Sequence, residues 1–309
     1  HLPGVPVILG GIYASLCPEH GRALGADFVF IGKDLIKISS LISSIAGKRL
    51  QAFPREQLEP AWELYGRLSY LCVRTSNGCP FRCSYCASSF LDPELYQREP
   101  QLVAREISFW TERFQVTDVA FYDDALLLNF ERHLKKILQL IPDWQRRQLR
   151  FHAPNGLNIR LLNREVAFAL KEAGFRTIRL SLESEQPGRV ASSHKVSFAD
   201  FERAMMWLRE AGFTREEIGV YIMVGWPGQL PSQVARTIHL LKEYPCRIKL
   251  AEYSPVPSTA TFQLCQKLHP GFSLQEPLLH NNSIFPAWHF PGKWDIIQEL
   301  KELVNSPAP

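Results

Sequence analysis

From Tyr70 onward the chain switches repeatedly between short apolar runs and longer stretches whose apolar residues recur at helical spacing. The runs Tyr70 to Arg74, Thr117 to Asp123, Leu149 to Ala153, Thr177 to Glu183, Ile218 to Val224 and Arg247 to Tyr253 read as buried strands. The segments Gln101 to Phe114, Asn129 to Ile141, Arg164 to Ala173, Phe198 to Ala211 and Ser232 to Tyr244 read as helices. In the first of these, Val103, Ile107, Trp110 and Phe114 fall along one face. Strands alternating in this way with helical segments predict an α/β fold with a parallel sheet and right-handed crossovers. The periodicity is the same for an open sheet and for one curled toward a barrel.

Upstream, the apolar run His1 to Gly11 and the run Ala26 to Gly32 look like two further strands, with a helix after the first and another over Asp34 to Ala46. Two strands do not make a stable doubly wound domain, so residues 1–48 are expected to be the tail of a domain that begins upstream. Residues 49–69, with Pro54 and Pro60, are expected to connect it to a core over 70–260. The extension 261–309 reads as irregular and proline-punctuated until a helix at Trp294 to Val304.

In parallel sheets, open or closed, ligands bind at the carboxyl ends of the strands. The polar residues of this core gather there: Asn77, Asp123 and Asp124, Asn155, Ser181 and Glu183, Gln229 after Gly225, and Tyr253 with Ser254. In Ile178 to Glu183 the alternation puts Arg179, Ser181 and Glu183 on one face. Three polar side chains in a buried strand are costly without partners, and a polar ligand or a structural salt bridge of Arg179 would supply them.

Of the seven cysteines, three stand close together in Thr75-Ser-Asn-Gly-Cys79-Pro-Phe-Arg-Cys83-Ser-Tyr-Cys86. An odd count with one tight cluster points to metal rather than to a disulfide framework. A structural zinc and a ferredoxin-type cluster each want four protein ligands, whereas three thiolates on one loop leave a coordination position open. The other four, Cys17, Cys72, Cys246 and Cys265, are scattered, and Cys72 reads as a small apolar strand residue.

The composition narrows the setting. The chain has 309 residues, 46% hydrophobic and 21% charged, with 35 basic and 31 acidic residues and a net charge of +4. There is no run of one sign to indicate nucleic acid or a membrane surface, no stretch of roughly 20 apolar residues and no signal-peptide pattern at the start. The cytoplasm is the expected compartment.

Cys79-x3-Cys83-x2-Cys86, with Tyr85 before the last cysteine and six β/α units from about 70 to 260, resembles the radical S-adenosylmethionine (SAM) superfamily. The resemblance implies a partial (β/α)6 TIM-like barrel, a 4Fe-4S cluster on Cys79, Cys83 and Cys86, and SAM chelated by the remaining iron. It also implies an external electron donor of flavodoxin or ferredoxin type and a substrate that the sequence leaves unidentified. Tyr85 would lie near the adenine. Asp123 and Asp124 stand where many members have Gly-Gly-Glu against the SAM amino group, although Asp124 as a helix N-cap is the plainer reading. Arg179, Ser181 and Glu183 would contact ribose and SAM carboxylate, and Gly225 the adenine edge, with Gln229 in place of a frequent glutamate. The segments Phe151 to Arg160 and Glu252 to Thr259 resemble substrate-side positions, although His152 by itself reads as a satisfied core histidine before a catalytic one.

Residues 1–48 resemble the C-terminal fragment of the Rossmann-like cobalamin-binding domain that precedes this barrel in one branch, through Val7 to Ser15 and Gly25 to Gly32. That domain's Asp-x-His-x-x-Gly loop has no counterpart in this sequence, and Gly32-Lys33-Asp34-Leu35 stands where relatives have Gly-Glu-Gly-Glu. Cobalamin is therefore implied only for a longer parent protein. A non-catalytic iron-sulfur or SAM-binding module is the reading from another class.

Overall fold

The computed structural model describes residues 4–51, 60–183, 196–271, 276–282, 284–290 and 293–307, with the side chains of Glu183 and Lys293 excepted. In the N-terminal unit β1 (Ile8–Leu9) and β2 (Phe28–Val29) pair in parallel, joined by α1 (Gly11–Leu16) and α2 (Pro18–Ala23) and followed by α3 (Leu35–Ala46). Asp34 caps α3 by accepting from the backbone N–H groups of Ile36 and Lys37 at 3.0 Å. None of the residues of α3 is buried. The expected connector is only partly described, since residues 52–59 lie outside the described set.

The main sheet begins with β3 (Leu71–Val73). A small antiparallel pair, β4 (Ser76–Asn77) and β5 (Tyr96–Gln97), then ties the neck of an excursion that carries the cysteines and α4 (Ser88–Leu91). From there the units alternate: α5 (Pro100–Phe114), β6 (Asp118–Phe121), α6 (Leu134–Leu140), α7 (Asp143–Arg146), β7 (Arg150–Leu157), α8 (Arg164–Ala173) and β8 (Phe175–Glu183). They continue with α9 (Phe198–Glu210), β9 (Ile218–Val224), α10 (Pro231–Lys242) and β10 (Arg247–Glu252). The six strands pair in parallel in the spatial order β3-β6-β7-β8-β9-β10, which is their order in the chain. Each β/α unit thus adds the next neighbour, as a partial TIM-like barrel requires, and β3 and β10 are its edges among the described residues.

Strand alternation separates two faces. Val119, Phe121, Phe151, Ile178, Leu180, Ile218 and Val220 are fully or almost fully buried beneath the helices. Phe121, Phe151 and Phe175 stack across three neighbouring strands, with ring centroids 5.6–5.9 Å apart. The opposite face carries His152, Thr177, Arg179, Ser181 and Tyr221, all half-buried. The helices are set by local signals. Asn163 caps α8 by accepting from Val166 N at 2.8 Å, and Gly174, at φ 97°, ends it. Ser197 and Asp200 form a reciprocal capping box on α9.

Two expectations are corrected. The helix expected from Asn129 begins only at Leu134, because residues 129–133 form turns in which Asn129 takes φ 53°. The extension is also more regular than its prolines suggest. Thr259 caps α11 (Ala260–Leu268), accepting from Phe262 N at 3.1 Å, and Phe262 and Cys265 anchor it in a second apolar cluster with Trp226, Tyr253 and Phe285. Then come α12 (Phe285–His289) and α13 (Lys293–Asn305), the latter joined to β10 by a 2.7 Å ion pair between Lys301 and Glu252.

Candidate active site

The cysteine excursion leaves the carboxyl end of β3 and returns through β5, with Arg98 N donating to Thr75 O at 2.9 Å at the neck. At the start of the excursion Gly78 adopts φ 80°, and a Cβ there would stand 2.4 Å from Glu94 O, so only glycine lets the two limbs close. The excursion is held by one bond within it and by two contacts from outside. Cys86 N donates to Cys83 O at 3.1 Å within it. Thr261, in the first turn of α11, donates its N–H to Ser84 O at 3.0 Å and its hydroxyl to Ser84 Oγ at 3.1 Å. Tyr85 meets Trp226 edge to face at 5.5 Å.

Asp123, just past the end of β6, is 2% exposed and holds the end of β3 in place. Its Oδ1 accepts from Thr75 N at 3.0 Å, Thr75 Oγ1 at 2.8 Å, Ser76 N at 2.5 Å and Ser76 Oγ at 2.6 Å. His133 Nε2 lies 2.9 Å from the same Thr75 hydroxyl, and burial pulls the His133 pKa down despite the nearby Asp123. Asp124 is more open and lies 3.5 Å from Arg74.

The three cysteines of the excursion, Tyr85, Asp123, Asp124, Asn155, Gly156, Asn158 and Ser181 line one cavity of about 250 Å³ at the carboxyl ends of the strands. Larger cavities of about 730 and 750 Å³ lie elsewhere and include none of the three thiols. Burial raises the Cys79 thiol pKa, and the charges of Asp124 and Cys86 push it the same way against a backbone hydrogen bond from Phe81. Cys86 Sγ accepts from Ser88 N at 3.4 Å.

The structure brings together seven of the ten residues expected at the site: Cys79, Cys83, Cys86, Tyr85, Asp123, Asp124 and Ser181. Arg179 does not line the cavity. Its guanidinium donates to Ile178 O and Glu217 O at 3.1 and 3.2 Å, and its stem lies over Gly219, where a Cβ would meet it at 2.8 Å. Gly225, at φ 81°, is closely approached by Pro286 of α12, whose Cβ would be 2.3 Å from an added Cβ. Glu183 ends β8, and its side chain lies outside the described residues. Gln229 organises the turn after β9: its Oε1 accepts from Gly225 N at 2.8 Å and Trp226 N at 3.2 Å, and its Nε2 donates to Met223 O at 2.9 Å.

Sequence reasoning missed the Thr75 and Ser76 donors, and it did not single out Gly156 or Asn158. Gly156 has a local signal, since Pro154-Asn155-Gly156 breaks the strand alternation where the β7–β8 register shifts. A Cβ on Gly156 would fall 1.8 Å from Ser181 Oγ, so the glycine makes room for that hydroxyl at the cavity wall. His152, at the other end of the sheet, bridges Asp118 and Thr177 at 2.9 and 2.8 Å and is a satisfied structural histidine.

The donor set itself tests what the thiols could hold. All seven cysteines are thiols outside any disulfide, and among the described residues only Cys79, Cys83 and Cys86 face this cavity. Burial pushes Cys246 up to about 12 and Cys265 up to about 11, so they are poor thiolate ligands. No three His, Cys, Asp or Glu side chains among the described residues converge on a single metal ion. Three thiols spread around a common cavity, without a fourth, fit a cluster bound at three corners better than a zinc ion.

The radical SAM superfamily profile matches residues 73–241. An uncharacterized methyltransferase of Pyrococcus horikoshii is 25% identical over 235 residues, covering 75% of this chain and 47% of that protein. The threonylcarbamoyladenosine tRNA methylthiotransferase MtaB of Thermotoga maritima is 25% identical over 280 residues, covering 82% of this chain and 60% of its own length. The chain thus spans about half the length of the curated relatives it matches. Among solved structures, the radical SAM methyltransferase TsrM of Kitasatospora setae, with tryptophan substrate and a SAM analogue bound, superposes with a TM-score of 0.69 at 19% identity. That match covers 84% of this chain and 58% of the other. Coproporphyrinogen III oxidase HemN of Escherichia coli gives a TM-score of 0.53 at 16% identity over 81% of this chain and 56% of its own. At these identities the likeness is one of fold.

Proposed function

Since the chain belongs to the radical SAM superfamily of enzymes, we propose that it holds a 4Fe-4S cluster on Cys79, Cys83 and Cys86 and cleaves SAM reductively to act on a still unidentified substrate. The observation that carries this reading is the convergence of those three thiols with Asp124 and Ser181 on one cavity. When bound, the cluster and SAM supply an electron and a 5′-deoxyadenosyl radical that takes hydrogen from the substrate.

The chain's own residues bind and orient. Asp124 is the carboxylate suited to the SAM ammonium, because a charge-assisted hydrogen bond needs an acceptor with free lone pairs. Asp123 is buried and its Oδ1 is engaged by Thr75 and Ser76, so its part is to fix the strand ends that carry the excursion. Ser181, Asn155 and Asn158 offer hydroxyl and amide groups for ribose and carboxylate. Tyr85, held against Trp226, fixes the backbone beside the adenine. Gly225 and Gln229 shape the turn after β9, Arg179 supports the sheet below the cavity, and Glu183 is assigned to SAM from its place at the end of β8. The electron comes from an external flavodoxin or ferredoxin type of donor.

Methyl transfer is the favoured subclass, because relatives carry methyltransferase and methylthiotransferase names. Two two-residue strands do not form a complete cobalamin-type sheet in this unit, so cobalamin belongs to the reading only for a longer parent protein. Residues 1–48 are read as the remnant of that domain, 70–260 as the catalytic core and 261–309 as its cover.

The test is anaerobic reconstitution followed by SAM and a strong reductant. The enzyme reading predicts 5′-deoxyadenosine, with S-adenosylhomocysteine as an added product if methyl transfer occurs. SAM binding without cleavage would support a non-catalytic module instead. No helix among the described residues is long and apolar enough to cross a membrane.

A further inference from the structure

A line of alternating charges runs from the N-terminal unit to the cavity wall. Lys33 follows β2, in the turn that leads to α3, and its Nζ pairs with Asp92 Oδ2 at the end of α4. Asp92 is only 9% exposed, so its charge needs a partner. The same oxygen lies 3.7 Å from Arg74 Nη2, and that nitrogen lies 3.5 Å from Asp124 Oδ2. Arg74 is held at its root, its Nε donating to Ser76 O at 3.1 Å and its carbonyl accepting from Arg98 Nη1 at 2.9 Å. One guanidinium is thus shared almost equally between two carboxylates. Among the described residues Asp92 has a second cation and Asp124 has none. At nearly equal distances the two Coulomb attractions nearly balance, so the charge on Lys33 decides which way Arg74 leans.

We propose that Lys33 is a positioning residue for the cavity: by neutralising Asp92 it leaves Arg74 to Asp124, and so sets how much negative charge faces the SAM ammonium and the cluster. This rests on the reading of Asp124 as the ammonium acceptor. It also gives the Gly32-Lys33-Asp34 turn a task, since an acidic residue at Lys33 would repel Asp92 and could not dock there. The N-terminal unit is thereby wired to the site through three ion pairs, Lys33–Asp92, Asp92–Arg74 and Arg74–Asp124, rather than by lining it.

The sign of the effect separates this from a structural role. Removing the charge in Lys33→Met draws Arg74 toward Asp92 and bares Asp124. SAM then binds about two- to fivefold more tightly and the cluster becomes harder to reduce. Asp92→Asn commits Arg74 to Asp124, so SAM binds more weakly by a similar factor and the cluster becomes easier to reduce. Lys33→Arg retains wild-type values, and both shifts shrink at high salt. The experiment uses the full chain with its cluster reconstituted, SAM affinity by equilibrium titration, and potentiometry followed by electron paramagnetic resonance. Lys33 is 35% exposed, so if Asp92→Asn fails to fold Lys33→Met decides alone: tighter SAM binding supports the proposal, and weaker or unchanged binding overturns it. Opposite shifts support the proposal. Shifts in the same direction, or none, in variants of a wild type that binds SAM overturn it alone, whereas a wild type that binds no SAM overturns the functional reading as well.

Discussion

The two ends of β6 carry aspartates a few residues apart that the fold uses differently. At the amino end Asp118 meets Arg150 and, at 2.9 Å, His152, in a half-exposed cluster that closes on itself. Glu217, just before β9, is likewise matched by Lys171 at 2.7 Å and Arg176 at 3.2 Å. At the carboxyl end Asp123 is buried and consumed by four donors, whereas Asp124 shares one arginine with Asp92 and faces a cavity lined by three thiols. The amino end is electrostatically complete and the carboxyl end retains capacity for a ligand. A count of charged residues would not tell them apart; the number of partners per charge does.

The largest expected effect separates the two aspartates by burial. Asp123→Ala leaves four donors without their acceptor and should cost about 3–4 kcal/mol, whereas Asp118→Ala, at a half-exposed site, should cost about 1 kcal/mol or less. Urea unfolding of the two variants checks the difference, and equal losses would dissolve the contrast. A second comparison lies in the turn after β9. Gly225→Ala meets Pro286 at 2.3 Å as well as a positive φ and should cost about 3 kcal/mol. Gly228→Ala meets nothing within 4 Å and should cost about 1 kcal/mol, from its φ of 79° alone. Thermal unfolding separates them.

A smaller effect is expected at Gln229. Its amide donates to Met223 O, which a carboxylate does not, so Gln229→Glu should cost about 1–2 kcal/mol at neutral pH and recover part of that as the new carboxyl protonates. A pH-independent loss would count against the assigned hydrogen bond.

The smallest effect is a pH dependence at the amino end. The Arg150 hydrogen bond, aided by His152 and opposed by burial, lowers Asp118 from 3.8 to about 2. A depressed folded-state pKa means stability that is full above the unfolded value and lost as pH falls through the folded one. The stability difference between wild type and Asp118→Asn should therefore be flat above pH 5 and disappear between about pH 4 and 2. A difference that persists at the acid end would remove the ion pair from the account.

The β/α series was legible because each strand and helix carries its own periodicity, and the cysteine triad because its ligands are local in sequence. What escaped depends on contacts between distant residues or on elements too short to show a period. Strands β4 and β5 have two residues each, and α11 opens the extension after residue 260, whose prolines suggested irregular chain. Asp123 was placed correctly at a strand end, but its capture by Thr75, 48 residues away, has no local signature. Lys33 reaches Asp92 across 59 residues in the same way. Gly225 was expected to admit a ligand, and the close approach it permits is by Pro286. The glycine signalled a tight contact without naming the partner.

Whether Cys79, Cys83 and Cys86 hold the cluster that activates SAM is decided by anaerobic reconstitution of the wild type and of a Cys79→Ala, Cys83→Ala, Cys86→Ala variant, with iron content and the response of the reduced cluster's electron paramagnetic resonance spectrum to SAM as readouts. The wild type should carry a cluster whose spectrum changes with SAM, and the variant should remain folded and lose the cluster. A folded variant that keeps the cluster and its response to SAM would rule out these three thiolates as its ligands.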